Sequence, residues 1–509
     1  MKKLIIAILA LASALAAPAE ENIEYTAYLE GRASSREFAP YMAGSWNAGR
    51  TVAGRGIWQG AGAVRPLDLS RRFSWSYGAE YILGYSNAIG YDRYAGPDSW
   101  YENSVRPAAA RLIQLFGEIK YRQVYLLAGM KERGSRIVDG SLSSGDLVRS
   151  NNARPIPGAA AGFIDFVDIP FTNGWVQIDG EIMYGRFTDS GYRRDQFGYY
   201  SSVLARDLCY TYKRCYFRTN PSQPLSVTVG MQTAGQFGGN TTWYSKGKMT
   251  RYEDRGFHLK DLWDMFFPRE GSGEGYYKGN SLGSWDFKAR YNFHDGSTLS
   301  AYFQWPWEDG SGIGRRNGWD GLWGIQYTFP NKGIVESVVL EYLDFTNQGG
   351  PIHYTPSDSP GSTITSEANG GDNYYNNDFY GAYANYGMAI GSPFLLAPVY
   401  NTDGYPMFAH NRARGFHAAA RGTLHEAVSW RAMVSYQKAG GEGRYPGARK
   451  LHDTSAMAEV LWRPVRSVDG LELKAQVALD AGNLRGNNFG ATVGISYSGL
   501  LTIGKKKNQ

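Results

Sequence analysis

The chain has 509 residues, 53 Lys and Arg against 47 Asp and Glu, and a formal charge of +6; the charges are spread along it and give no support for nucleic-acid binding. Mean hydropathy is −0.41 and no long apolar run follows the N-terminal segment, which excludes a helical membrane protein. Tyr (37), Trp (14) and Gly (64) are abundant and Cys (2) is scarce, a composition shared by transmembrane β-barrels and by secreted β-sandwiches or β-helices.

Residues 1–19 read as a cleaved secretory signal. Lys2 and Lys3 form its positive end, Leu4 to Leu15 its apolar core, and Ala14, Ala16, Ala17 and Ala19 offer cleavage sites. The mature chain, 20–509, shows no linker or repeat and reads as one domain. Its first clear strand is 73–85, where apolar and aromatic residues alternate with Ser74, Ser76, Gly78 and Glu80. Residues 145–173 carry Pro155, Pro157 and Pro170 and read as a loop. Alternation returns at 176–184 and 225–232. Between them lie Cys209 and Cys215; an oxidising compartment would permit a local disulfide stapling one loop.

Residues 250–280 hold one helical signal, Leu259, Leu262, Trp263 and Phe266, ended by Pro268. The expected role is a loop helix packed on, or plugging, the mouth of a barrel; a membrane-surface anchor is the alternative. Residues 298–305 and 322–329 alternate again. Trp305 and Trp307 stand where a strand meets an interface and read as part of an aromatic girdle rather than a sugar platform. The glycines of EDGSGIG (308–314) lack the spacing of a phosphate cradle.

Residues 345–378 are rich in Gly, Ser, Asp and Asn. Within them Asn376, Asn377 and Asp378 stand beside Tyr374, Tyr375 and Tyr380. Rings that stack on sugar C–H faces, next to amides and carboxylates that bond hydroxyls, make these six the candidate carbohydrate-binding residues. Their spacing is not that of a calcium loop, and no metal site or cofactor is expected. His417 alternates with Ala418 and Ala420 and is expected to face a lumen as a solvated polar residue. The seven His are scattered, no HExxH occurs, and no catalytic signature stands out, so the chain does not read as an enzyme. Strands at 429–437, 471–480 and 489–498 complete the series. Lys505, Lys506 and Lys507 read as a solvated tail.

These strands are about ten residues long, enough to cross a bilayer when tilted. Their second faces carry Glu, Lys, Arg, Gln and Ser, which cannot be buried without partners. One face must meet lipid or a core and the other a polar lumen or water; the number of such strands favours a barrel over a sandwich, and a sheet in lipid must close. The mature chain has room for roughly 16–20 such strands. The fold class is therefore all-β, a transmembrane antiparallel barrel in contact with outer-membrane lipid.

Four segments in order carry a resemblance: LSSGDLVRSNNARPIPG (142–158), EDGSGIG with GWDGLWG (308–324), EYLDFTNQGGP (341–351) and YYNNDFYGAYANYGMAIGSPF (374–394). Together they resemble the Wzi family of outer-membrane capsule assembly proteins in its Bacteroidetes-type form. The resemblance implies a monomeric barrel of about 18 strands, plugged by loops or short helices. It also implies a lectin-like role in attaching or assembling capsular polysaccharide. Asn152, Arg154, Pro155, Pro157, Asp309, Asp320, Trp323, Glu341 and Asp344 would be structural plug residues. The prolines would fix an extended segment, and Arg154 would pair with a lumen carboxylate such as Glu341 or Asp344. Residues 22–50 lack the long helical period of the periplasmic bundle found in enterobacterial members. A passive porin, and an outer-membrane hydrolase, are the competing readings.

Overall fold

A computed structural model describes residues 21–503 apart from 97–98, 108–109, 199, 268–278, 309–316, 349–371, 443–445 and 465–467. The signal segment 1–19, Asp309 and the basic tail lie outside the described residues.

Eighteen strands form the wall. β1 (Glu21–Ser34), β2 (Gly56–Arg65), β3 (Phe73–Ser86), β4 (Arg111–Tyr121), β5 (Val124–Met130) and β6 (Gly158–Phe163) come first. β7 (Val176–Arg186), β8 (Cys209–Thr219), β9 (Leu225–Phe237), β10 (Asn280–Asn292), β11 (Thr298–Trp307) and β12 (Gly321–Thr328) follow. β13 (Ser337–Asp344), β14 (Ala413–His425), β15 (Val428–Gly441), β16 (Pro446–Trp462), β17 (Leu471–Gly482) and β18 (Asn488–Ile503) complete it. Each strand pairs antiparallel with the next, and β18 pairs with β1, so the sheet is a closed barrel. Closure removes the unpaired backbone edges that lipid cannot satisfy. Every strand expected from alternation is present at its expected place.

The alternation decides which side each residue meets. On β17 Val477 and Leu479 are exposed on the outer wall while Gln476 and Asp480 are buried inside. On β18 Phe489, Val493 and Ile495 point out and Thr492 points in. The exposed apolar belt has a place only against lipid. One end of the barrel carries short turns, such as 122–123 and 426–427. The other carries the long segments 35–55, 87–110, 131–157, 187–208, 238–279 and 345–412.

The packed core lies inside the barrel. Segments 35–55, 131–157 and 372–411 enter it and bring Ile137, Leu142, Val148, Tyr383, Phe394 and Phe408, all fully buried. Segment 35–55 has one helical turn, α1 (Tyr41–Gly44), and no bundle. At Gly49, with φ +65°, an added Cβ would stand 2.8 Å from the Arg154 backbone nitrogen, so only glycine lets the two segments meet.

α2 (Ser190–Gln196) lies at the long-loop end. α3 (Leu259–Phe266) confirms the helical signal but corrects its place. It packs on the outer wall, not over the mouth. Tyr184 and Lys213 are outward-facing by alternation with buried Met183, Tyr212 and Arg214. Tyr184 donates to the Leu262 carbonyl at 2.6 Å, and Lys213 Nζ to the Met265 and Phe266 carbonyls at 2.7 and 2.9 Å. The helix C-terminus thereby hoods a cation that would otherwise face lipid. Met265 sits against Gly235, where a Cβ would come within 2.6 Å of it. Leu259, Trp263 and Phe266 remain exposed on the outside.

Candidate functional site

The lumen at the level of the plug is a built polar network. Glu181 of β7 meets three guanidinium groups: Arg133 and Arg149 of the plug at 2.8 Å each, and Arg214 of β8 at 2.9 Å. Asp179 takes Arg214 at 2.7 Å and Arg136 at 3.3 Å. Strand period 2 places both carboxylates inward. Asp146 of the plug accepts from Gln232 Nε2 (2.8 Å) and Gln304 Nε2 (3.1 Å), and both amides also donate to Asp286. Buried charges of this kind persist only when paired and hydrogen-bonded.

Glu341 of β13 is a second clamp. It accepts from Ser143 Oγ (2.6 Å), the Ser144 backbone N–H (2.7 Å) and Tyr302 Oη (2.6 Å). It holds segment 131–157 through these contacts, and Arg154 is not its partner. Arg154 stacks its guanidinium 3.8 Å from the Tyr386 ring centre, and its carbonyl accepts from Asn385 Nδ2. Asp344 is also corrected. Alternation with buried Leu343 turns it to the outer side, where it accepts from Tyr342 Oη (2.8 Å) and caps Thr346.

Asn152 ties three segments: its Oδ1 accepts from the Trp46 N–H and its Nδ2 donates to the Ala389 carbonyl. The extended run through Pro155 and Pro157 continues into β6, and the Pro157 carbonyl accepts from the Arg186 N–H. Asp320 accepts the N–H groups of Asn347 (3.1 Å) and Gln348 (2.7 Å) and anchors that loop; burial pushes its carboxyl up to about 7. Trp323 is not a plug residue. Its side chain stacks on Phe303 on the outer wall, joined by Trp305 and Trp319. This is the girdle expected at Trp305; Trp307 lies buried on the same outward row, beside Gly283.

The six carbohydrate candidates fold back toward the lumen. Tyr374, Tyr375, Asn376 and Tyr380 are buried. Tyr375 Oη donates to the Leu147 carbonyl, Tyr374 Oη accepts from Asn317 Nδ2, and Asn376 brackets Phe408 through both its amide atoms. Asn377 turns its amide to Asn280 and to the N–H groups of Phe379 and Tyr380. Only Asp378 of the six is exposed. Buried rings offer no stacking surface, and these residues hold the plug together instead.

The expected disulfide is corrected as well. Cys209 and Cys215 are free and stand on one extended strand, β8. Six residues of strand span roughly 20 Å, against the ~7 Å limit between Cα atoms of a disulfide. His417 does face the lumen, but buried rather than solvated. Its Nε2 donates to the Leu142 carbonyl and its Nδ1 accepts from Ser435 Oγ, each at 2.7 Å. The pair clamps plug to wall.

Sequence reasoning missed the exposed aromatic face of the long loops. On the hairpin Ile89–Gly96 and Ser99–Val105, Trp100 and Tyr101 are 47% and 50% exposed. Tyr94 packs between Trp100 (5.3 Å) and Tyr200 (5.2 Å), and the tip of the hairpin Gly239–Ser245 and Lys248–Gly256 closes on it at Gly247. Nearby, Arg251 lies 4.5 Å over the Trp243 ring, which meets Phe379 edge-on. Rings held rigid by neighbours, with charged groups beside them, suit planar or ring-shaped polar ligands. The signal was only the local density of Tyr and Trp at 91–101, which period-2 reading passes over.

No family model and no curated relative matches the chain. Among solved structures it is similar to Wzi of Escherichia coli, described as an outer-membrane protein involved in group 1 capsule assembly and a carbohydrate-binding β-barrel. That likeness has a TM-score of 0.53 at 13% identity, over 92% of this chain and 83% of that one. It is also similar to OccAB2 of Acinetobacter baumannii (TM-score 0.47, 9% identity, 94% and 98% covered). The outer membrane protein OprD of Pseudomonas aeruginosa follows at 0.44 and 11%, over 94% of each chain. At these identities the likeness is one of fold.

Proposed function

We propose that this protein sits in an outer membrane and binds a surface polysaccharide at its long-loop end, helping to attach or assemble a capsule without chemical turnover. The observation that carries the reading is the use of the lumen's own polar groups by the plug. Glu181, Gln232, Glu341 and His417 are all committed to segment 131–157. A porin needs those groups for water and solute. A closed barrel with rigid aromatic rings at its long-loop end has its working surface outside. The carbohydrate-binding description of the Escherichia coli barrel supports the same reading. In this reading the signal segment is cleaved, the protein works as a monomer, and the sugar-contact role expected at Tyr374–Tyr380 passes to Trp100, Tyr101 and Tyr200.

Glycan binding to the purified protein tests it. Trp100→Ala and Tyr200→Ala should each weaken binding roughly tenfold, at about 1–3 kcal/mol per lost stacking contact by analogy with other ring platforms, with unfolding unchanged. Deleting the protein should leave polymer synthesis intact and release polymer into the medium. A deletion strain that makes no polymer, or large steady channels in planar bilayers, would overturn the reading.

A further inference from the structure

The plug fills only part of the lumen. Below it, toward the short turns, a cavity of about 270 Å³ opens between β8, β9, β10, β11 and β12. Period 2 carries the inward rows of these strands past the plug, so the cavity is lined by Arg218, Lys288 and Arg290, with Arg136 reaching down from the plug. Between the cations stand the hydroxyls of Ser226, Thr228 and Ser300.

The charges here are only partly settled internally. Arg218 donates to Gln177 Oε1 (2.7 and 3.0 Å) and lies 3.9 Å over the Phe166 ring. Lys288 Nζ donates to the Ile137 carbonyl at 2.7 Å. Both partners are neutral. Arg290 is exposed and makes no hydrogen bond or ion pair among the described residues. Among the described residues only Arg136 forms ion pairs, with Asp165 at 3.6 Å and the shared Asp179 at 3.3 Å; Arg218 feels Asp165 and Asp179, and Lys288 feels Asp139, at longer range. Three cations around one cavity repel one another, and an entering anion would relieve that repulsion while gaining charge-assisted hydrogen bonds.

We propose that this cavity is a second binding site, open to the periplasm, for an acidic saccharide. Its oxyanion sits among Arg218, Lys288 and Arg290, and its hydroxyls bond the Ser and Thr side chains. The site is separate from the aromatic face of the long loops; it rests on the outer-membrane reading for its sidedness alone.

Calorimetry on the full, detergent-solubilised protein tests it with three probes: tetragalacturonate, maltotetraose and inorganic phosphate. Tetragalacturonate should bind, more weakly as salt rises, and the Arg218→Gln, Arg290→Gln double variant should lose at least tenfold. Arg290→Gln alone removes a side chain with no hydrogen bond or ion pair among the described residues, so folding is preserved and a several-fold loss is expected. Trp100→Ala should leave this binding unchanged, which separates it from the glycan reading above. Equal binding by maltotetraose, or equal affinity in the double variant, overturns the proposal. Phosphate binding as tightly as the acid sugar overturns its saccharide part.

Discussion

The same strands line two different interiors. At the level of the plug β8, β10 and β11 present Tyr216, Asp286 and Gln304; Tyr216 and Gln304 both donate to Asp286, and Gln304 also donates to Asp146. One or a few inward positions closer to the short turns they present Arg218, Lys288, Arg290 and Ser300. Above, acids and amides find their donors within the chain. Below, Arg218, Lys288 and Arg290 face a cavity with no carboxylate at ion-pair distance from them among the described residues. A buried polar group that the fold has already paired serves stability; one left without a counter-charge is available to a ligand.

The largest expected effect breaks the upper level. Glu181→Ala leaves Arg133, Arg149 and Arg214 around an empty centre, and removing one partner of a buried pair costs about 3–5 kcal/mol. Denaturant unfolding should show that loss, and planar bilayers should show more current than the wild type. Glu341→Ala comes next. It strands the hydroxyls of Ser143 and Tyr302 and the Ser144 N–H, at roughly 2–3 kcal/mol.

A smaller, local effect follows pH. The Asp320 carboxyl, held up near 7 by burial, takes its proton more tightly in the folded chain than in the unfolded one. Its contribution is complete below the ordinary carboxylate range and is lost as pH rises through about 7. Hydrogen exchange at Asn347 and Gln348, corrected for intrinsic rates, should therefore be slower at pH 5 than at pH 8, and Asp320→Asn should flatten the difference. Least of all, Arg290→Gln at the lower level should change stability by no more than about 0.5 kcal/mol. A clearly larger loss would mean that Arg290 has a structural partner and would erase the contrast between the two levels.

The wall was legible because alternation is a local property. Leu471–Asp480 and Phe489–Ser498 declare their faces from neighbours two residues away, and lipid outside makes the rule strict. The plug was not, because its contacts join residues far apart in sequence. Glu341 reads as a lumen carboxylate, but nothing local says that it meets Ser143 rather than Arg154. The Tyr and Asn cluster at 374–380 has the composition of a solvated loop, and only the fold turns it inward, where its amides replace water. α3 misleads for the converse reason. An apolar stripe usually marks contact with a core, whereas on the outside of a barrel it marks contact with lipid.

The closure of the wall has a consequence in time. β1 and β18 pair along fourteen residues, from Glu21 with Ile503 to Ser34 with Gly490. The first strand made therefore waits for the last, and until β18 arrives the sheet has two bare edges that invite other chains. Pairing across that sequence distance is slow. Assembly has to follow synthesis rather than accompany it, with the chain held unfolded until its two ends can meet.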